Sequence, residues 1–210
     1  MSVDEGNELL ENATYWWRVT AYDTHGSFTV SPTAAFRVNA VNEPPLVFDL
    51  TSPSNHSIVT DPRNAFNWEV STDPDPGDSV TYTLYYSTYA NFASSTTVSL
   101  LPNNSYEPLT DLLENATYWW CVKAVDTTNL YRYSVSTWSF RVNAVNESPG
   151  WFDLLYPEDN GIITALRPAF EWLASTDPDP GDEVRYTLFY STYSNFESSQ
   201  SISGIEENYY

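Results

Sequence analysis

Residues 9–17 read LLENATYWW, and residues 112–120 read LLENATYWW again. The echo runs well beyond nine residues. FRVNAVNEPP at 36–45 returns as FRVNAVNESP at 140–149, and STDPDPGDSVTYTLYYSTYANF at 71–92 returns as STDPDPGDEVRYTLFYSTYSNF at 175–196. The paired starting points (9 with 112, 36 with 140, 71 with 175) give a period of 103 or 104 residues. That is too long for a solenoid unit and about the size of one small all-β domain. The sequence therefore reads as a tandem array of one domain.

Between clusters of Pro, Asp, Asn and Gly, the apolar residues alternate with period two. AFNWEVS sets Phe66, Trp68 and Val70 on one face and Asn67 and Glu69 on the other. VTYTLYYS points Tyr82, Leu84 and Tyr86 inward and Thr81, Thr83 and Tyr85 outward. TYWWCVKAV turns Tyr118, Trp120, Val122 and Ala124 inward, and STWSFRVN does the same with Trp138, Phe140 and Val142. Short strands rich in β-branched and aromatic residues, with no helical periodicity, predict an all-β sandwich of two antiparallel sheets.

These residues resemble the fibronectin type III-like domains found as tandem repeats in large prokaryotic surface proteins. The likeness is carried by a Trp on the second strand (Trp68, Trp172), a Tyr on the third (Tyr82, Tyr186), and a Leu six residues before a Tyr (Leu112 to Tyr118, Leu9 to Tyr15). The resemblance implies tandem seven-stranded sandwiches. It also implies a tyrosine corner, in which the phenol bonds back to the turn backbone. It says little about function, because such sandwiches host many roles.

Laid on seven strands, the repeat starts and stops out of phase. Residues 1–42 correspond to the C-terminal part of one domain, 43–146 to a complete domain, and 147–210 to the N-terminal part of a third. A partial sandwich exposes an apolar face and unpaired strand edges. Two readings follow. Either the chain is a window of a longer one whose flanking segments finish the partial domains, or the C-terminal half of one molecule is completed by the N-terminal half of the next, head to tail.

Charge and composition narrow the partners. With 8 Lys plus Arg against 28 Asp plus Glu, the formal charge is −20, which disfavours nucleic acid and anionic membranes and favours cations or basic partners. No apolar run is long enough to span a bilayer, so no membrane insertion is expected. The start, MSVDEGNELL, has neither the basic nor the apolar region of a secretion signal, so the protein stays where it is made or derives from a longer exported chain. The lone Cys121 cannot close an internal disulfide.

The loop TDPDPGD is the strongest candidate site. Asp73, Asp75 and Asp78 recur as Asp177, Asp179 and Asp182. Crowded carboxylates gain when a divalent cation relieves their repulsion, and Ca²⁺ wants several oxygens. The alternative is a Pro/Asp turn serving rigidity and solubility. In the resembled topology this loop lies beside the loop starting at Asp126 and the linkers carrying Asn42, Glu43, Asn146 and Glu147, which makes calcium at each domain junction an expectation. Five sequons, at Asn12, Asn55, Asn103, Asn115 and Asn146, are glycan acceptors if the chain is exported. Asn12 and Asn115 also suit the corner-turn backbone.

Outward rings at Trp119 and Tyr85, repeated at Trp16 and Phe189, could hold sugar rings or pack against neighbouring domains. His25 and His56 sit in unrelated loops, Cys121 is replaced by Arg18 in the repeat, and no phosphate loop, zinc spacing or nucleophile elbow occurs. The expectation is a non-enzymatic, extracellular or cell-surface structural and adhesive repeat protein, with itself, flanking domains or surface glycans as partners. A carbohydrate-binding accessory module is the alternative.

Overall fold

The computed structural model describes residues 8–210, in which every regular element is a β-strand. The chain divides into two compact units. One comprises Met1–Ile58, Arg63–Asp111 and Thr117–Arg141, the other Val59–Pro62, Leu112–Ala116 and Val142–Tyr210.

The first unit opens with a four-strand fragment, β1 (Thr14–Trp17), β2 (Thr20–Tyr22), β3 (Phe28–Val30) and β4 (Ala34–Arg37). β1 pairs antiparallel with β4, and β2 with β3. Tyr15 lies opposite Phe36 with the rings stacked at 5.7 Å. The Tyr15 phenol oxygen accepts the Leu10 N–H at 2.6 Å, which is the expected tyrosine corner.

The complete sandwich follows: β5 (Leu50–Ser52), β6 (Ser57–Val59), β7 (Phe66–Trp68), β8 (Thr81–Ser87), β9 (Thr96–Leu101), β10 (Ser105–Tyr106), β11 (Thr117–Val125), β12 (Tyr131–Tyr133) and β13 (Trp138–Val142). One sheet has the order β10-β7-β5, the other β6-β13-β11-β8-β9, with β12 continuing the pairing of β11. The sheets thus draw on non-consecutive strands, which is the Greek-key arrangement of the fibronectin type III type.

Strand β11 alternates half-buried and buried residue by residue, with Tyr118, Trp120, Val122 and Ala124 inward. Phe66 meets Trp120 edge-on at 5.2 Å and Phe140 at 5.6 Å. Each such ring, fully buried, contributes about 1.5–3 kcal/mol.

Val70, Thr83, Ser87 and Ser139 depart from simple alternation. Val70 is exposed rather than sharing the face of Phe66 and Trp68. The strand stops at Trp68, and Ser71 then bonds to the Tyr82 phenol and the Leu46 carbonyl, so the chain has already turned away. Thr83, expected outward, is buried.

In the second unit, β14 (Leu154–Tyr156) pairs with β15 (Glu171–Trp172), and β16 (Tyr186–Tyr190) with β17 (Gln200–Ile205). Tyr209 bridges to Glu171 on the far side of β15, as β10 borders β7 in the complete sandwich. Among the described residues, no helix is long and apolar enough to cross a membrane.

Candidate functional site

The first acidic loop is held by a backbone turn and by the linker that enters it. Asp73 Oδ1 accepts the Asp75 N–H at 2.9 Å, and Asp78 N–H reaches the Asp75 carbonyl at 3.3 Å, folding the loop back on itself. Gly77 at φ 96° supplies the left-handed residue that this turn needs. From the linker, the Glu43 N–H donates to Asp75 Oδ2 at 2.8 Å. From the loop after β11, the Thr127 hydroxyl donates to Asp78 Oδ1 at 2.6 Å. One oxygen of each aspartate is therefore occupied by a protein donor. The other oxygen of each (Asp73 Oδ2, Asp75 Oδ1, Asp78 Oδ2) is buried and has no hydrogen-bond partner.

Carboxylate oxygens of the three residues lie within 4.8 Å of one another, and Asp75 is only 5% exposed. Loss of solvent raises the Asp73 pKa above its usual 3.8, and the charges of Asp75, Asp126 and Asp78 push it the same way. Asp126 itself is buried and well satisfied. Its Oδ1 accepts Thr128 N–H, Thr128 hydroxyl and Leu130 N–H, and its Oδ2 accepts the Asn42 amide.

The second unit repeats this arrangement with Asp177, Asp179 and Asp182, again within 4.8 Å. Asp177 Oδ1 accepts the Asp179 N–H, and the Glu147 N–H donates to Asp179 Oδ2 at 2.9 Å. Asp179 Oδ1 and Glu147 Oε2 are withdrawn from solvent, and the Glu147 and Asp179 side chains hydrogen-bond each other. The Glu147 pKa is raised, chiefly by loss of water and then by the neighbouring Asp179.

Both linkers are also tied to the preceding corner turn. Glu11 Oε1 accepts the Ala40 N–H at 2.8 Å, and Glu114 Oε1 accepts the Ala144 N–H at 2.9 Å. The Asn12 amide donates to Glu43, and Asn115 hydrogen-bonds Glu147. This double tie was not foreseen from sequence, although LLENAT and NAVNE both recur.

A second feature is apolar. Leu50 is 3% exposed in the complete sandwich, whereas its repeat mate Leu154 is 79% exposed. The N-terminal fragment shows the complementary contrast: Trp120 and Phe140 are 0% and 1% exposed, their mates Trp17 and Phe36 53% and 43%. In the second unit the bare face forms an open groove of about 770 Å³, lined by Phe152, Leu154, Phe170, Trp172, Tyr186 and Leu188.

The remaining candidates are dispersed. Asn12 and Asn115 have positive φ, 58° and 56°, and are half-buried, whereas Asn55, Asn103 and Asn146 are exposed. Asn55 also accepts the Ser139 N–H through its side chain. Trp119 lies opposite Ser87 and is half-buried, and Tyr85 sits opposite Cys121. Tyr85 rests 6.3 Å from Tyr133, which in turn meets Tyr131, and Lys123 caps Tyr131 at 5.4 Å. Trp16 and Phe189, the repeat mates of Trp119 and Tyr85, are exposed. Burial pushes the Cys121 thiol up to about 11. His56 Nδ1 and Ser139 Oγ lie 3.1 Å apart, while the His56 N–H donates to the Ser139 carbonyl, so this pair joins the β6 turn to β13. His25 stays in its own turn beside Asp23 and Thr24.

No protein-family model matches the sequence, and no curated protein does. Among solved structures, the chain is similar to the FN1-FN3 domains of chicken CNTN1, at 13% identity and TM-score 0.43, over 96% of this chain and 67% of that one. An α-L-rhamnosidase from Dictyoglumus thermophilum aligns at 14% identity and TM-score 0.37, over 54% of this chain and 15% of its own. A Ca²⁺-stabilized adhesin, with which an Antarctic bacterium binds ice, aligns at 11% identity and TM-score 0.29, over 94% of this chain and 47% of its own. The strand order of the complete sandwich, its core tryptophans and the tyrosine corner at Tyr15 make this an all-β chain of fibronectin type III-like fold.

Proposed function

We propose that the chain is a non-enzymatic structural and adhesive repeat unit of an extracellular or cell-surface array. In this array, residues 1–42 of one copy supply the strands that complete the partial sandwich of residues 147–210 in the next. The observation that carries this reading is the paired exposure of matching faces. Trp17 and Phe36 repeat the residues that cover Phe66 in the complete sandwich, and Phe170, which repeats Phe66, lines the open groove. Both faces are apolar, and covering several aromatic and aliphatic side chains at about 1.5–3 kcal/mol each drives association. The contact is head-to-tail, so it propagates into an open filament unless the rotation closes a ring. Calcium at the repeated acidic loops belongs to the same reading, as a cation that stiffens each junction.

Two charge substitutions test the assembly. Phe36→Asp disables the donor face and Leu154→Glu the acceptor face. Each variant alone should be monomeric, and an equimolar mixture should form a one-to-one heterodimer through the one intact pair of faces. Two variants that stay monomeric when mixed would refute completion between copies and would leave flanking segments of a longer chain as the cover. The carbohydrate-binding reading draws less support, because in the complete sandwich Tyr85 is engaged by Tyr133 and Trp119 is half-buried.

A further inference from the structure

Among the acidic, aromatic and apolar features, the two loops with buried carboxylate oxygens lacking donors stand apart from an ordinary solvated acidic turn. An exposed Asp turn satisfies its oxygens with water. Here one oxygen on each of Asp73, Asp75 and Asp78 is withdrawn from water without a donor, and carboxylate oxygens of the three residues lie within 4.8 Å of one another. Leaving a buried charged acceptor unpaired is costly, and three converging negative oxygens add repulsion.

We infer that Asp73, Asp75 and Asp78, and in a second copy Asp177, Asp179 and Asp182, each form a site for a hard divalent cation of calcium type. The inference deepens the structural-array reading by assigning ligands and a role to its junctions, and it does not depend on completion between copies. The donors are all oxygens, which suits Ca²⁺, and water completes its shell of six to eight. Magnesium holds its waters more tightly and demands a regular octahedron, so it competes poorly.

The protein donors have a consequence. Because Glu43 N–H and Glu147 N–H already hold Asp75 and Asp179, an ion fixing these aspartates also fixes the linker. Glu11 and Glu114 pin the same linkers to the preceding corner turn, so the cation stiffens each linker at both of its ties. The two sites are unequal. Asp78 is oriented by Thr127 from the loop after β11, and Asp126 adds charge beside Asp73. Asp182 is exposed, so the first site should bind more tightly.

The test is calorimetric titration of CaCl₂ into the full chain, beside terbium luminescence sensitised by the protein's aromatic residues. Wild type should bind two ions per chain, half-saturating on the order of 0.1–1 mM as in extracellular calcium modules. Asp73→Asn and Asp177→Asn keep an oxygen for the Asp75 and Asp179 N–H groups while removing a charge, so the folds should survive, as near-ultraviolet circular dichroism would report. Each should abolish one site, or weaken it at least about tenfold, and the double variant should bind neither ion. Absence of binding at roughly 10 mM, well above the range of such modules, would overturn the inference. So would unchanged stoichiometry in a folded double variant, which would mark diffuse attraction to a chain of charge −20. Either failure can be told from a failure of filament assembly, because binding is read on the monomeric Leu154→Glu variant as well.

Discussion

The phenol oxygen of Tyr82 accepts the Ser71 N–H at 2.8 Å, and that of Tyr186 accepts the Ser175 N–H at 2.8 Å. In both copies the tyrosine lies against the core tryptophan of its sandwich, Trp68 at 5.4 Å and Trp172 at 5.3 Å. The ring belongs to the core while its hydroxyl fixes the residue just before the acidic loop. Tyr82→Phe keeps the ring but strands a buried N–H, at an expected cost of about 1–3 kcal/mol. Urea denaturation of the chain should show a lower midpoint with an unchanged slope. A midpoint within error of wild type would mean that the hydroxyl does not hold the loop.

Asn115 separates backbone need from glycan attachment. At φ 56° it occupies a conformation that β-branched residues resist. Asn115→Val should cost about 1–3 kcal/mol, whereas Asn115→Gly, which also removes the sequon, should stay within about 1 kcal/mol of wild type. Thermal melting of unglycosylated protein checks both. Equal losses would show that the amide group, and not its φ, makes the contribution.

Cys121 offers a pH-dependent reading of the sheet face between Trp119 and Lys123. Its thiol is pushed from 9.0 up to about 11 by loss of solvent. The folded state therefore holds its proton more tightly than the unfolded chain. The associated stability is fully present below pH 9 and is lost as pH rises toward 11. Alkylation of the native chain at pH 8 should be slow, should rise about tenfold per pH unit, and should become fast on unfolding. Fast native alkylation at pH 8 would mean that the sheet face opens.

Much of this architecture is written in the spacing of the sequence. Strand β11 alternates because side chains on a pleated ribbon point to opposite faces, and TYWWCVKAV carries that pattern without interruption. The acidic loops were legible for the same reason that repeats are, since TDPDPGD returns intact. Val70 was not legible, because what ends β7 is a hydrogen bond from Ser71 to a tyrosine eleven residues away. Nor were the Asn55–Ser139 and His56–Ser139 bonds, which join residues more than eighty positions apart. The donor-free oxygens of Asp73, Asp75 and Asp78 follow from burial and from which groups reach them, neither of which a string of residues displays.

The outward rings give a separate check on adhesion. If the structural reading holds, Trp119→Ala should leave binding to immobilised surface glycans unchanged and lower stability only modestly, since Trp119 is half-buried on the outer face. Loss of glycan retention with the fold intact would instead favour a carbohydrate-binding module.

Completion between copies is tested most directly by following mass with light scattering as the chain is concentrated, with electron microscopy of the same samples. The account predicts mass that grows with concentration and unbranched fibres whose axial repeat is one complete sandwich plus one shared sandwich. Monomers at every concentration, with the complete sandwich resistant to protease and both partial ones cut away, would contradict it.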